Sequence, residues 1–295
     1  MRKIFVKKLV EEASKNEKII LIVGDLGFGV VETFKNKFPN RFFNAGVAEQ
    51  NMAGLAAGLA LKGFHVFIYS IANFPTFRCA EQIRNDIDYH NLSVTIVSIG
   101  SGLGYGNLGY SHHSIQDYAL MRSFPNTLIA SPSNNQEVES SLDFLIKNPQ
   151  PSYLRLDKSL EIETKKKNIY VDPGKWLFYK KNSKNKNNKK LILSTGSVYK
   201  ECLKLCDKYK NYDWASIPLW GMKYKNQQLN KLKKYNEIIT VENHLQDGGF
   251  GSWICESLSQ KKNKINTKII SKFLDRNVIG KVGTEEFLNL RYGIK

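Results

Sequence analysis

At 295 residues the chain has the length of two ordinary domains, and 42% hydrophobic against 24% charged residues is the balance of a soluble globular protein. No apolar run reaches the roughly 18 residues a membrane-spanning helix needs, and the first ten residues lack the cleavage site of an export signal. The net charge of +17 suggests nucleic acid, but residues 1–159 carry 16 Lys/Arg against 14 Asp/Glu and the remainder 28 against 13, concentrated at 165–167 and 180–190 in lysine–asparagine runs without base-stacking aromatics.

The four cysteines form no CxxC pair, which fits reduced thiols in a cytoplasmic protein. Along the chain, Ile19–Val23 is an apolar run stopping at Gly24-Asp25, the pattern of a strand buried on both faces. Residues 47–63, rich in Ala, Leu, Met and Gly, predict a helix. Residues 66–69 and Val94–Ile99 predict strands with a helix over 76–88 between them. Residues 127–130 and Ser152–Leu156 predict two more, separated by a helix over 134–147. This alternation predicts an α/β fold, a doubly wound parallel sheet over residues 1–157.

Residues 158–189, polar and lysine-rich with the turn signal Asp172-Pro173-Gly174, predict a surface linker. Strands at 191–194, 214–217, 238–241 and 267–271, with helices at 197–209, 251–259 and 284–290, predict a second, smaller α/β domain over 190–295. Open parallel sheets bind ligands beyond the carboxyl ends of their strands. Chemistry is therefore expected in segments 24–30, 70–77 and 100–113.

One stretch stands out: Arg41-Phe-Phe-Asn-Ala-Gly-Val-Ala-Glu-Gln-Asn-Met52, continuing as Ala-Gly-Leu-Ala-Ala-Gly-Leu-Ala60. An acid at a helix start is by itself an ordinary cap. The whole stretch, however, resembles the carboxyl-terminal portion of transketolases and of deoxyxylulose-phosphate synthase. The resemblance extends through Ala72-Asn-Phe-Pro-Thr-Phe77, Ser111-His112-His113, Arg122-Ser-Phe-Pro-Asn126, Leu193-Ser-Thr-Gly-Ser-Val198 and Ile239-Thr-Val-Glu-Asn-His244.

The resemblance implies thiamine diphosphate as cofactor. It makes Glu49 the acid that hydrogen-bonds the aminopyrimidine ring and so activates the cofactor, with Phe74 and Phe77 packing on that ring and Asp25 among the cofactor contacts. It implies His112 as a catalytic histidine, with His112, His113 and Arg155 contacting substrate. The small residues Ala53, Gly54, Ala56, Ala57 and Gly58 are expected to admit a helix from another subunit.

Family transketolases bind the diphosphate and its Mg2+ or Ca2+ through a domain marked by Gly-Asp-Gly, which this sequence lacks. The resemblance therefore implies a split enzyme, active with an amino-terminal partner subunit in an α2β2 assembly, and no nucleic acid or membrane. The family's sugar-contacting His, Asp and Ser fall on Gly100, Leu108 and Gly29. The expectation is a two-carbon ketol transfer on an unusual sugar, lacking the usual phosphate or linked to a nucleotide. The alternatives are a 2-oxo-acid decarboxylating β subunit and a non-catalytic scaffold.

Overall fold

The computed structural model describes residues 1–159, 161–164, 166, 169–182, 189–259 and 266–294. Its strands are β1 (Ile19–Val23), β2 (Phe42–Asn44), β3 (His65–Ile71), β4 (Val94–Ile99), β5 (Leu128–Ala130), β6 (Ser152–Leu156), β7 (Leu177–Lys180), β8 (Lys190–Ser194), β9 (Asp213–Ser216), β10 (Leu219–Trp220), β11 (Glu237–Val241) and β12 (Lys268–Lys272). The helices of the first half are α1 (Arg2–Ala13), α2 (Glu32–Lys37), α3 (Glu49–Leu61), α4 (Phe74–Phe77), α5 (Ala80–Gln82), α6 (Asp117–Met121) and α7 (Asn135–Lys147). Those of the second half are α8 (Tyr199–Lys208), α9 (Leu229–Leu232), α10 (Phe250–Ser259) and α11 (Glu285–Tyr292).

The first sheet runs β10-β5-β6-β4-β3-β1-β2, parallel throughout except for β10. β1, β4 and β6 are buried at every position, as strands covered on both faces must be. One face packs under α1 and α7 through Phe5, Leu9, Val138 and Leu142. The other lies under α3 and the wide helical turn Ile83–Asp88, through Met52, Ala56, Ile83 and Ile87. The helix expected over 76–88 is broken into α4, α5 and that turn. The chain leaves β1 for one edge and from β3 returns toward the other, so the switch point lies between β1 and β3.

The second sheet runs β12-β11-β8-β9-β7. The expected linker 158–189 needs correction: its residues 177–180 form β7, antiparallel to β9 at the sheet edge. Residues 160, 165, 167, 168 and 183–188 of that segment, with four lysines of the lysine runs, lie outside the described residues. β10, from within the expected second domain, closes the edge of the first sheet against β5. Trp220 on β10 and Tyr118 on α6 share one buried cluster with Leu191, Leu193 and Trp253, so the apolar core is continuous across both sheets. Among the described residues no helix is long and apolar enough to cross a membrane.

Candidate active site

β1, β2, β3 and β4 end on one side of the sheet. The segments leaving those ends carry Asp25, Glu49, Phe74, Phe77, His112 and His113. Glu49 opens α3 and heads its buried stripe, followed by Met52, Ala53, Ala56, Ala57 and Ala60 at helical spacing. The stripe faces the sheet, which draws the carboxylate inward until only 4% of the residue is exposed. The positive end of the helix also favours an acid there. Gly54 and Gly58 point the other way, and a Cβ on either would meet no atom within 4 Å. Of the small residues expected to admit a second helix, these two are open; Ala53, Ala56 and Ala57 pack on their own sheet.

Glu49 is held by Arg78, whose Nη1 donates to Oε1 at 3.0 Å and to Oε2 at 3.1 Å. The Arg78 guanidinium carbon lies 3.9 Å from the centre of the Phe74 ring, and the His112 ring meets Phe74 edge-on at 5.0 Å. Glu49, Phe74 and His112, widely separated in sequence, thus surround one spot. Phe77 stands 47% exposed at the far end of α4.

Asn73 fixes the two sides of this cluster. α4 begins with Pro75 near its first position, where a missing N–H costs nothing. The Asn73 amide does not cap the helix and instead donates to the carbonyl oxygens of His113 at 2.7 Å and Ser111 at 3.2 Å. His112 Nδ1 bonds the Ser111 hydroxyl at 3.0 Å. Burial, then the Arg78 charge, holds the His112 pKa below its ordinary value, so the ring is neutral at pH 7 and able to accept a proton.

Asp25 is exposed in left-handed backbone (φ 55) and exchanges two hydrogen bonds with Asn44: its N–H donates at 3.0 Å and its Oδ1 accepts at 2.9 Å. The Gly46 N–H also donates to the Asn44 oxygen. Asn44 therefore fixes the entry to α3 against the end of β1. In this structure Asp25 positions the Glu49 segment.

His113 and Arg155, both expected to contact substrate, are buried in this structure. His113 is 1% exposed, its pKa lowered chiefly by burial, and it lies beneath the loop that presents His112. Arg155 is fully buried and its donors are taken: Nε by Asp117 at 2.6 Å, Nη1 by Asn243 Oδ1 and the Tyr118 hydroxyl, Nη2 by the carbonyls of Ser114 and Asn243. It ties the first sheet to the loop after β11, and no donor remains for a phosphate.

At the end of β4, Gly100 has φ 94, and a Cβ there would overlap the Tyr105 ring. Tyr105 thus fills the space that a side chain at 100 would take. Its ring lies 6.4 Å from that of His112 and carries the Lys158 ammonium at 4.6 Å. Leu108 is 54% exposed, and Gly29 opens onto empty space.

Arg78, Asn73, Asn44 and Tyr105 were not singled out in the sequence. The available signal for Arg78 was its spacing: four residues after Phe74, it returns to the same helical face.

The site suits a flat nitrogen heterocycle. A flat group with N–H donors, the Arg78 guanidinium, already lies on Phe74 and against the Glu49 carboxylate, so the shape and donor pattern of an aminopyrimidine fit there. Among the described residues, no three His, Cys, Asp or Glu gather to hold a metal ion.

The fold and site define a two-domain α/β protein with a buried acid facing an aromatic–histidine pair at the strand ends. Residues 1–161 match the family described as transketolase, pyrimidine binding domain. The chain is 30% identical over 306 residues to one subunit of the apulose-4-phosphate transketolase of Phocaeicola vulgatus, covering 99% of this chain and 93% of that protein. It is 30% identical to the corresponding apulose-4-phosphate transketolase chain of Actinobacillus succinogenes, covering 90% and 85%. A solved structure described as a split-gene transketolase in an inactive β4 tetramer superposes with a TM-score of 0.83 at 26% identity, covering 100% of this chain and 93% of that one. The chain belongs to the transketolase family.

Proposed function

We propose that the chain is the carboxyl-terminal subunit of a split transketolase. With thiamine diphosphate and a partner subunit it moves a two-carbon ketol unit from a ketose to an aldehyde. The observation that carries this is the convergence of Glu49, Phe74 and His112 on one spot. Thiamine diphosphate, when bound, supplies the nucleophilic carbon and the electron sink. Glu49 would hold the pyrimidine ring and exchange a proton with its nitrogen. Phe74 would bed the ring and exclude water from one of its faces. His112, neutral at pH 7, accepts and returns the proton of a substrate hydroxyl.

The partner is needed for the other half of the cofactor. The missing Gly-Asp-Gly supports a partner that holds the diphosphate and its Mg2+ or Ca2+. The open face of α3 supports where it docks, with Gly54 and Gly58 flanked by the exposed Val47, Leu55 and Leu61. The inactivity of the β4 assembly in the related split enzyme supports an α2β2 complex as the working form. The free cysteines are in keeping with a cytoplasmic enzyme.

The sealed Arg155 and the occupied Gly100 site support an unusual sugar, one not gripped through the ordinary phosphate contacts. Co-purifying the chain with its partner and assaying ketol transfer against carbon dioxide release from pyruvate tests the reading. Ketol transfer without carbon dioxide is expected; release of carbon dioxide would replace this function with a decarboxylating one. Ordinary transketolase rates on xylulose 5-phosphate and ribose 5-phosphate would remove the unusual substrate.

A further inference from the structure

Arg78 has a half-exposed side chain, yet its guanidinium reaches the buried carboxylate of the site. One nitrogen bridges both Glu49 oxygens, and the guanidinium carbon sits 3.9 Å over Phe74. Any second flat ring stacked on that face of Phe74 needs the same van der Waals space of about 3.5–4 Å. An aminopyrimidine hydrogen-bonded to Glu49 needs an oxygen that Arg78 now engages. The two groups compete for both the aromatic bed and the acid.

We infer that Arg78 is a placeholder for the pyrimidine ring, seated on Glu49 and Phe74 until the cofactor arrives and swinging out to solvent as it binds. The inference rests on the proposed function. Two features of the site accord with it. A carboxylate as buried as Glu49 is costly without a charge partner, and Arg78 supplies one while the pyrimidine is away. The side chain also has an unobstructed way out, being 46% exposed while its partner is 4% exposed. Arg78 would then keep Glu49 and Phe74 aligned in the empty subunit and act as a gate on loading.

The test is a calorimetric titration of thiamine diphosphate, with Mg2+, into the complex of the chain and its partner, using wild type, Arg78→Ala and Arg78→Lys. A placeholder that fills the seat nine-tenths of the time lowers apparent affinity roughly tenfold. Arg78→Ala is therefore expected to bind about tenfold more tightly, and Arg78→Lys, which makes a weaker stack and a single point contact, to fall between. The cofactor-free Arg78→Ala chain is expected to unfold at a lower temperature than wild type, and the cofactor to raise that temperature by more. Equal or weaker binding by Arg78→Ala would overturn the inference alone and make Arg78 part of the loaded site. Failure of the wild-type complex to bind the cofactor at all would remove both the inference and the function it rests on.

Discussion

The side-chain amide of Asn73 donates to the carbonyl oxygen of His113 at 2.7 Å, so one residue at the end of β3 holds the loop that presents His112. With its second bond to Ser111 at 3.2 Å, Asn73 keeps His112 against Phe74. Asn73→Ala is expected to lower kcat of the assembled enzyme about tenfold, since each lost hydrogen bond is worth roughly 1 kcal/mol. Cofactor affinity, proposed to rest on Glu49 and Phe74, should change little. Steady-state kinetics beside a binding titration separates the two effects, and an unchanged kcat would free His112 from this tie.

Arg155 and Asp117 form a wholly buried ion pair between the first sheet and α6, and Arg155 also spans to Asn243 after β11. Burial raises the carboxyl's pKa, but the Arg155 charge, the His244 ring and the hydrogen bonds from Tyr153 and Arg155 together outweigh it, leaving Asp117 below its ordinary value. Removing one partner strands the other charge, at a cost of about 3–5 kcal/mol. Arg155→Ala and Arg155→Lys should both unfold at much lower temperature, because a lysine cannot replace five donors in a planar fork. Near-wild-type unfolding with lost phosphate recognition would restore Arg155 to a substrate role.

His65, at the start of β3, is buried with Nε2 on the Thr95 hydroxyl at 2.9 Å, and burial pushes its pKa down to about 4. The unfolded chain takes up a proton there below about pH 6.5, the folded chain only near 4, so acidification between those values favours unfolding. At 1.36 kcal/mol per unit the loss from this one group approaches roughly 3 kcal/mol. His65→Gln keeps a partner for Thr95 and cannot titrate. Its stability deficit against wild type in urea unfolding should shrink as pH falls from 7 to 4.5; a constant deficit would mean His65 titrates normally.

Gly100 and Tyr105 should behave as a coupled pair. Gly100→Ala forces an L-residue into φ 94 and drives its Cβ into the Tyr105 ring. A cost of about 2–4 kcal/mol is expected, combining backbone strain with the steric clash. With Tyr105→Ala in the background, the clash disappears and only the strain of about 1–2 kcal/mol remains. Additive effects in this double-mutant cycle would show that Tyr105 does not fill the Gly100 site.

Much of this architecture is legible in the sequence because its signals are local. Ile19–Val23, Val94–Ile99 and Ser152–Leu156 are dense in β-branched or apolar residues, and each is a buried strand within a residue of its expected limits. The helix after Glu49 shows its buried stripe in the Ala and Met spacing. β2 and β7 escape for physical reasons. The three residues of β2 are too few to carry a measurable period, and the strand at 177–180 is half-buried at an edge within a lysine-rich segment. Of the candidate site, the motif residues Glu49, Phe74 and His112 can be singled out in the sequence, and the fold brings them near one another. Contact made by folding alone is not legible there: the Arg78 seat on Glu49, the Asn73 tie and the burial of Arg155 and His113 depend on residues brought from separate strand ends.

Glu49→Gln tests the central claim most directly. Glutamine keeps the size and one acceptor of the side chain but cannot take a proton from the pyrimidine nitrogen. In the complex with the partner subunit, turnover is expected to fall by at least about 100-fold, the scale of a lost proton-transfer group. The folded stability of the complex should stay close to that of wild type. Turnover equal to wild type would contradict the account, leaving Glu49 as a buried acid in the first turn of α3 and Arg78 as its structural partner.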